Sequence, residues 1–599
     1  MGLLSSCSIF DSSKKGDEGA QSSQSSSQTN DKVQISISTK SLTIGGGDSE
    51  LLYVTFNPTT WTYKGIKWSV VGDSSIINIQ KKSNTAISVT GLAVGECDIV
   101  ATYAKDDTIK DTCHVTVSSA YECKNKTVIE QNYSTYNVHN AYGINYCSSK
   151  GTPRVLIIPV WFGDSNNFVD QDYREALRED IGKAYLGTSS ETGWHSVSSY
   201  YETLSSGALH LGGYVAQWYE ISATAASYNS NGSDMVTLVN DATDWVFNHT
   251  SETRSSFDVN NDGNLDAVLL IYAAPDYSKY EYSVAGKNLW AFQSSTSANP
   301  NKANPTANVY FWASYDFMYG PTNTVSRGHS LDSAYANGSD LYPIDSHTFT
   351  HEMGHVMGLD DYYDYASATK PAGGFSMQDY NVGSHDPFSV MALGWVNPYI
   401  PLGSCTLTLR DFQSTKDIIL LTPEWNPTNS VFDEYLLLEF YSPTGLNEAD
   451  VANQYPGSPQ GVNDIGIRLW HVDARLFRIT GGYSAPYLGQ VTTSTDSTRL
   501  VMYNTNTSSG DRVSICEGNN HAFNELQLIR NSYTKTFEDD SFFESADLFK
   551  TGDSFSITTY SSQFVNGSES KFNNDKEFKW LFHINSMTAT EANITFTLN

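Results

Sequence analysis

From residue 33 to 118 the chain runs in short alternating stretches, "VQISIST", "LLYVTF", "IKWSVV", "IINIQ", "AISVTGL", "CDIVATY" and "CHVTVSS", separated by Gly, Asp, Asn and Pro. A period of two puts one face of each stretch inward, so the pattern predicts seven strands and a β-sandwich over 33–118. Residues 119–152 lack the pattern and read as a connector. At 154 the character changes: "RVLIIPVWFGD" is almost continuously apolar, as a strand buried on both faces is, and "DAVLLIYAAPD" at 266–276 repeats it. "YREALREDIGKAYLG" and "SDMVTLVNDATDWVFNHT" have helical spacing, so 153–400 reads as a mixed α/β domain. Beyond it, "CTLTLRDF", "EYLLLEFYS", "GIRLWHVD" and "ANITFTLN" predict a β-rich C-terminal domain over 401–599. Residues 1–32, with "SSKKGDEGAQSSQSSSQTNDK", cannot build a core and read as a flexible tether.

Composition narrows the function classes. A chain of 599 residues exceeds what one core usually organises, consistent with several domains. With 66 acidic against 36 basic residues and a formal net charge of −30, it repels nucleic acid and anionic lipid. No run approaches the roughly 18–20 apolar residues that span a bilayer. None of the seven cysteines forms a C-x-x-C pair, which argues against a cysteine zinc site or a redox motif. Setting Cys7 aside, the order along the chain suggests pairing Cys97 with Cys113, Cys123 with Cys147 and Cys405 with Cys516; buried free thiols are the alternative. "LLSSC" at 3–7 resembles the lipobox of bacterial lipoproteins, although no basic and apolar stretch precedes it here. The resemblance implies a lipid anchor at Cys7 and an extracellular location, with that anchor as the chain's one tie to a membrane.

The chemistry concentrates in "HEMGHVMGLDDYYD" at 351–364. His351 and His355 are four apart, so on a helix both imidazoles leave one face and can chelate one metal. Glu352, beside the first ligand, is placed to take a proton from water at the metal without itself binding it. Asp345 or Ser346 can cap the helix, and Phe349, Met353 and Val356 or Met357 form an apolar stripe on its other side. Downstream of Val356 no glutamate occurs before Glu424, which disfavours a remote glutamate as third ligand. Gly358 permits a sharp turn, after which Asp361 can supply a carboxylate oxygen, with Asp360 as its rival. His347 shares the helical face, but it stands about 12 Å from His355 along the axis, too far for one ion. It reads as a supporting or surface histidine.

These residues resemble the immune inhibitor A family of secreted bacterial zinc metallopeptidases, whose signature is H-E-x-x-H-x-x-G-x-x-D-x-Y-D. "RVLIIPVWFGD", "SVSSYYETLSSGALHLGGYVAQWY", "FDVNNDGNLDAVLLIYAAPD" and "GGFSMQDYNVGSHDPFSVMALGW" extend the likeness, and "EYLLLEFY" and "GIRLWHVD" carry it to about 472. The resemblance implies a zincin-type fold, catalytic zinc on His351, His355 and Asp361, and Glu352 as general base. It also implies a methionine turn beneath the site. The family often places that methionine where this chain has Gln378, and Met377, one residue earlier, is taken as its counterpart. Tyr380 reads as an oxyanion stabiliser or a packed aromatic. Separately, "SLTIGGGDSELLYVTFNP", "IKWSVVGDSSIINI" and "VTGLAVGECDIVATY" resemble the bacterial Ig-like group 2 domain, a spacer or adhesive module that implies a host or cell-surface ligand.

A second ion is suggested by "DVNNDGNLD", where Asp258, Asn260, Asp262, Asn264 and Asp266 alternate and Gly263 occupies the turn, as in a calcium loop. Leu269 stands where such a loop ends in glutamate. The expectation is an extracellular zinc endopeptidase acting on protein or peptide substrates and braced by calcium. The alternative is a non-catalytic surface adhesin with a structural metal site. A latent enzyme, with the connector across the cleft, is a third reading.

Overall fold

The computed structural model describes residues 33–45, 49–57, 65–93, 95–118, 127–136, 138, 143–227, 232–275, 290–319, 344–366, 368–426, 428–455, 457–480, 487–490, 500–507 and 523–599. The tether, Cys7, Cys123 and Cys516 lie outside them. Contacts divide the chain into an N-terminal unit ending at Val117 and a larger one running from Ser118 to Asn599.

The described residues of the N-terminal unit form eight strands: β1 (Gln34–Ile37), β2 (Ser41–Gly45), β3 (Ser49–Asn57), β4 (Ile66–Gly72), β5 (Ile77–Lys81), β6 (Ala86–Gly91), β7 (Gly95–Tyr103) and β8 (Lys110–Ser118). They make two four-stranded sheets, β1-β3-β6-β5 and β2-β8-β7-β4. The inward positions Leu52, Val54, Phe56, Val89, Ile99 and Val115 share one core. The strand the pattern did not predict is β2, whose signal is diluted by the following "GGGDS". The expected Cys97–Cys113 disulfide is not made. Cys97 lies opposite Val115 and Cys113 opposite Ile99. Such diagonal neighbours stand about 7–8 Å apart, beyond a disulfide's usual Cα reach of about 4.4–6.8 Å. Both are buried free thiols. Cys147 is likewise a buried free thiol, and its expected partner Cys123 lies outside the described residues.

The larger unit is built on β9 (Arg154–Trp161), whose Val155–Ile158 and Val160 are wholly buried. Around it stand β10 (Gly212–Val215), β11 (Tyr219–Glu220), β12 (Ala267–Tyr272), β13 (Phe292–Ser295) and β14 (Val309–Ser314). The order is β10-β9-β12-β14-β13, with β11 also on β9. The first four strands are parallel and β13 is an antiparallel edge. Helices Arg174–Leu186, Val197–Leu204 and Gly232–His249 occur with this sheet, as does the motif helix His347–Val356. Phe349 on the motif helix stacks on Tyr185 at 5.1 Å and meets Phe311 of β14 at 5.7 Å.

Beyond 400 the chain adds β15 (Cys405–Arg410), β16 (Ile419–Leu421), β17 (Glu434–Tyr441), β18 (Gly466–Asp473), β19 (Leu476–Thr480), β20 (Tyr487–Gln490), β21 (Leu500–Met502), β22 (Leu526–Ile529), β23 (Ser554–Ser556), β24 (Trp580–Met587) and β25 (Glu591–Leu598). They form sheets β16-β17-β18-β22, β15-β25-β24-β23 and β20-β19-β21. The first of these is an inner layer with both faces covered. On one face Tyr435, Leu437, Tyr441, Trp470 and Val472 enter the same core as β9 and the motif helix. On the other Leu436, Leu438, Phe440, Ile467 and Leu469 meet β15, β24 and β25. Double burial explains why "EYLLLEFY" and "GIRLWHVD" do not alternate. The boundary expected at 400 is therefore not a break in packing. No described helix is long and apolar enough to cross a membrane.

Burying each of those five inward side chains contributes roughly 1.5–3 kcal/mol, which together rivals a domain's net stability of about 5–15 kcal/mol. A fragment of residues 119–400 should show no cooperative thermal transition by calorimetry, whereas residues 33–118 alone should melt in one.

Candidate active site

The motif helix is entered through Ser346, and Asp345 Oδ1 accepts the His347 amide at 2.9 Å. Phe349, Met353, Val356 and Met357 are all buried. At its end Gly358 takes a φ of +109°, and a Cβ there would lie 2.9 Å from the Tyr133 ring. Left-handed backbone and close packing both require glycine. The reversal returns the chain so that Asp361 faces the helix it has just left.

There His351 Nε2 and His355 Nε2 stand 3.0 Å apart, and Asp361 Oδ1 lies 3.0 Å from the first and 3.1 Å from the second. Among the described residues this is the group of three whose ligand atoms all fall within 4.8 Å, and Asp360 is not part of it. The opposite edges of the rings are committed elsewhere. His351 Nδ1 donates to Met377 O at 2.8 Å and His355 Nδ1 to Leu359 O at 2.7 Å. That tautomer leaves both Nε2 lone pairs aimed at one point, the arrangement a metal-binding histidine needs. Burial favours neutral His355, but Asp361 outweighs it and pushes the imidazole up to about 10. Burial likewise opposes charge on Asp361, yet His355 and His351 draw its carboxyl well below the usual range. A cation at the convergence point would take over the proton's role.

Glu352 is 6 % exposed, and its Oε2 has no hydrogen-bond partner among the described residues. Burial raises its carboxyl above the ordinary value, against the pull of His355 and His351. An unpartnered buried carboxylate oxygen beside the three ligand atoms suits a group that exchanges a proton with water or substrate.

Several supporting residues had no signal in the spacing. Met377 supplies its carbonyl, while the side chain beneath the helix belongs to Gln378. A Cβ on Gly354 would lie 2.1 Å from Gln378 Oε1. Gln378 Nε2 donates to His351 O at 3.2 Å, and His385 Nε2 donates to Gln378 Oε1 at 3.1 Å. Burial holds His385 well below its ordinary value and hence neutral, so its Nδ1 accepts from Tyr200 OH at 2.9 Å. Tyr201 OH donates to Thr350 O, and Tyr365 OH to Asp361 Oδ2 at 2.6 Å. Asp364 accepts the amides of Ala366, Ala368 and Thr369, fixing the loop beyond the ligands. Tyr380 packs edge-on against Phe542 at 5.3 Å.

The turn that carries Met377 is held from beyond residue 400. Arg468 donates to Phe375 O at 3.0 Å, Asn447 Oδ1 accepts the Ser384 amide and Asp450 Oδ2 accepts the Gly383 amide. Asp450 also reaches His347, which is buried rather than at the surface. Its ring stacks between Trp194 at 4.0 Å and Tyr455 at 4.3 Å, with Asp345 and Asp450 at its two nitrogens. Burial opposes the charge, but the two carboxylates push His347 up to about 9.

The 258–266 loop closes mainly on itself. Asp258 accepts the amides of Asp262 and Gly263, Asp262 accepts that of Asn264, and Asn260 accepts that of Asp262. Asp266 accepts the Arg154 amide, and burial pushes it up to about 7. The loop's three carboxylates are not among the groups that converge closely enough to hold a metal, so the structure lends the expected calcium site no support.

Residues 144–384 match the family model of the immune inhibitor A peptidase M6 catalytic domain. No curated protein matches the chain. The matched segment contains His351, Glu352, His355, Asp361 and Gln378, and the likeness supports a metallopeptidase, a class that requires a metal.

Two outcomes follow from the supports. Gln378→Ala should weaken binding of a divalent metal about 10- to 100-fold, the usual effect of removing an outer partner, in a calorimetric titration of the metal-stripped protein. The two carboxylates hold His347 at about 9, above its unfolded value of about 6.5. Its contribution, on the order of 3 kcal/mol, is complete below pH 6.5 and lost as pH rises through about 9. The melting temperature should fall across that window, and His347→Phe should abolish the step.

Proposed function

We propose that the chain is an extracellular zinc-dependent endopeptidase. The observation that carries this reading is the meeting of His351 Nε2, His355 Nε2 and Asp361 Oδ1, with buried Glu352 on the same helix. Two imidazoles and one carboxylate make a donor set suited to zinc that stays open for catalysis, because three protein ligands leave a coordination position vacant. Zinc, when bound, supplies Lewis acidity that polarises the scissile carbonyl and makes water more acidic. The chain's own residues do the rest. Glu352 accepts a proton as the water oxygen bonds to the carbonyl carbon, then delivers it to the amide nitrogen as the C–N bond breaks. Its desolvated surroundings raise its affinity for a proton, which strengthens it as the base that takes the proton from water. Met377 and Leu359 keep the imidazoles in the required tautomer throughout.

The same reading places the N-terminal sandwich as an Ig-like spacer or adhesive module, with residues 1–32 as its tether and Cys7 as the lipid anchor outside the cell. Its support is the alternating strand pattern and the lipobox-like "LLSSC".

Glu352→Gln should keep one zinc per chain by elemental analysis yet lose about 10²- to 10⁴-fold in cleavage of an unfolded protein, the share proton transfer usually supplies. Parent-like cleavage by that variant would remove Glu352 from the mechanism.

A further inference from the structure

Beside the metal ligands an unbroken row of aromatic rings leads away from the site. Tyr363 lies 6.4 Å from the His351 ring, Tyr380 6.1 Å from Tyr363, and Phe542 5.3 Å from Tyr380. Tyr365, 52 % exposed, joins Tyr363 at 5.4 Å. The far end is unusual in its construction. Phe542 is 40 % exposed, yet its backbone is anchored on both sides. Arg530, itself 2 % exposed, donates to Phe542 O at 3.2 Å and is paired with Asp547 at 2.7 Å. The next residue, Phe543, is buried, packs on Tyr441 at 5.3 Å and donates its amide to Gly373 O at 2.7 Å. Gly374 leaves room for the ring, since a Cβ there would lie 2.4 Å from Phe542 Cδ1. Lys370 Nζ covers part of the ring at 4.8 Å.

The exposed part of the Phe542 ring is an anchored aromatic surface of the kind recognition sites use, because little side-chain freedom is lost when a ligand covers it. The geometry points to a substrate subsite: Tyr363, Tyr380 and Phe542 receive a bulky aromatic or aliphatic side chain of an extended peptide whose scissile bond lies at the metal. The inference rests on the peptidase reading and names its substrate class. Phe542 lies outside the matched segment 144–384, so the β-rich region beyond 400 contributes to specificity as well as support. An extended chain advances about 3.3 Å per residue, so the three ring-to-ring steps from His351 to Phe542 keep the recognised side chain within about five residues of the bond.

The test uses the full zinc-loaded chain. Cleavage sites in denatured casein are mapped by mass spectrometry, and kcat/KM is then measured on two quenched peptides that differ only in Phe or Ala at the enriched position. The parent should enrich Phe, Tyr, Leu or Met at one fixed position. Phe542→Ala should lower kcat/KM at least tenfold on the Phe peptide and less than twofold on the Ala peptide, with zinc content unchanged. Phe542→Leu, which keeps apolar bulk, should restore most of the rate and shift preference from aromatic to aliphatic residues; it serves in place of Phe542→Ala if that variant does not fold. A flat profile, or equal losses on both peptides, overturns the subsite while leaving the peptidase intact. Absence of any cleavage by the zinc-loaded parent overturns the peptidase reading and the subsite with it.

Discussion

Two imidazole nitrogens held 3.0 Å apart, both with lone pairs turned toward the same carboxylate oxygen, are an electrostatic burden unless a cation or proton lies between them. The fold maintains that arrangement by giving each ring's other nitrogen a backbone carbonyl, Met377 O for His351 and Leu359 O for His355. Both carbonyls must therefore be fixed. Leu359 is placed by the reversal at Gly358, within one turn of the helix it closes. Met377 is 26 residues away in sequence, and its turn has to be held by tertiary contacts.

Those contacts come largely from the region beyond 400. Arg468 on β18 holds Phe375, Asn447 holds Ser384, and Asp450 bridges Gly383 to the first turn of the motif helix through His347. A sheet buried on both faces carries this scaffold, with one face in the core of the site and the other against β15, β24 and β25. The segment resembling a peptidase catalytic domain is thus chemically self-sufficient in its ligands but not mechanically so. The same dependence extends to the aromatic row beside the site, which begins at Tyr363 and Tyr380 and is prolonged by Phe542.

What could be read from the chain was what spacing encodes. The sandwich strands, the doubly buried β9 and β12, and the motif helix with its apolar stripe follow from periods of two and 3.6. The residues His351, His355 and Asp361, chosen by intervals of four and six, are the ones the structure brings together. The misses concern relations between distant segments. Nothing in "SMQDYNVGSHD" says that Gln378, His385 and Tyr200 will form a buried polar chain under Gly354, because their partners are set by tertiary packing. The pairing of Cys97 with Cys113 failed for the same reason, since order along the chain does not reveal the strand register that separates them. The 258–266 loop has the oxygen spacing of a cation site, but its side chains are largely engaged by the loop's own amides.

The proposed chemistry requires one metal where His351, His355 and Asp361 converge. The most direct measurement is a crystal of the zinc-loaded chain with diffraction recorded on both sides of the zinc absorption edge. One strong anomalous peak should appear, bounded by His351 Nε2, His355 Nε2 and Asp361 Oδ1, with Glu352 beside it and not bound to it. A peak elsewhere, or Asp361 turned away from the imidazoles with another residue completing the shell, would contradict it.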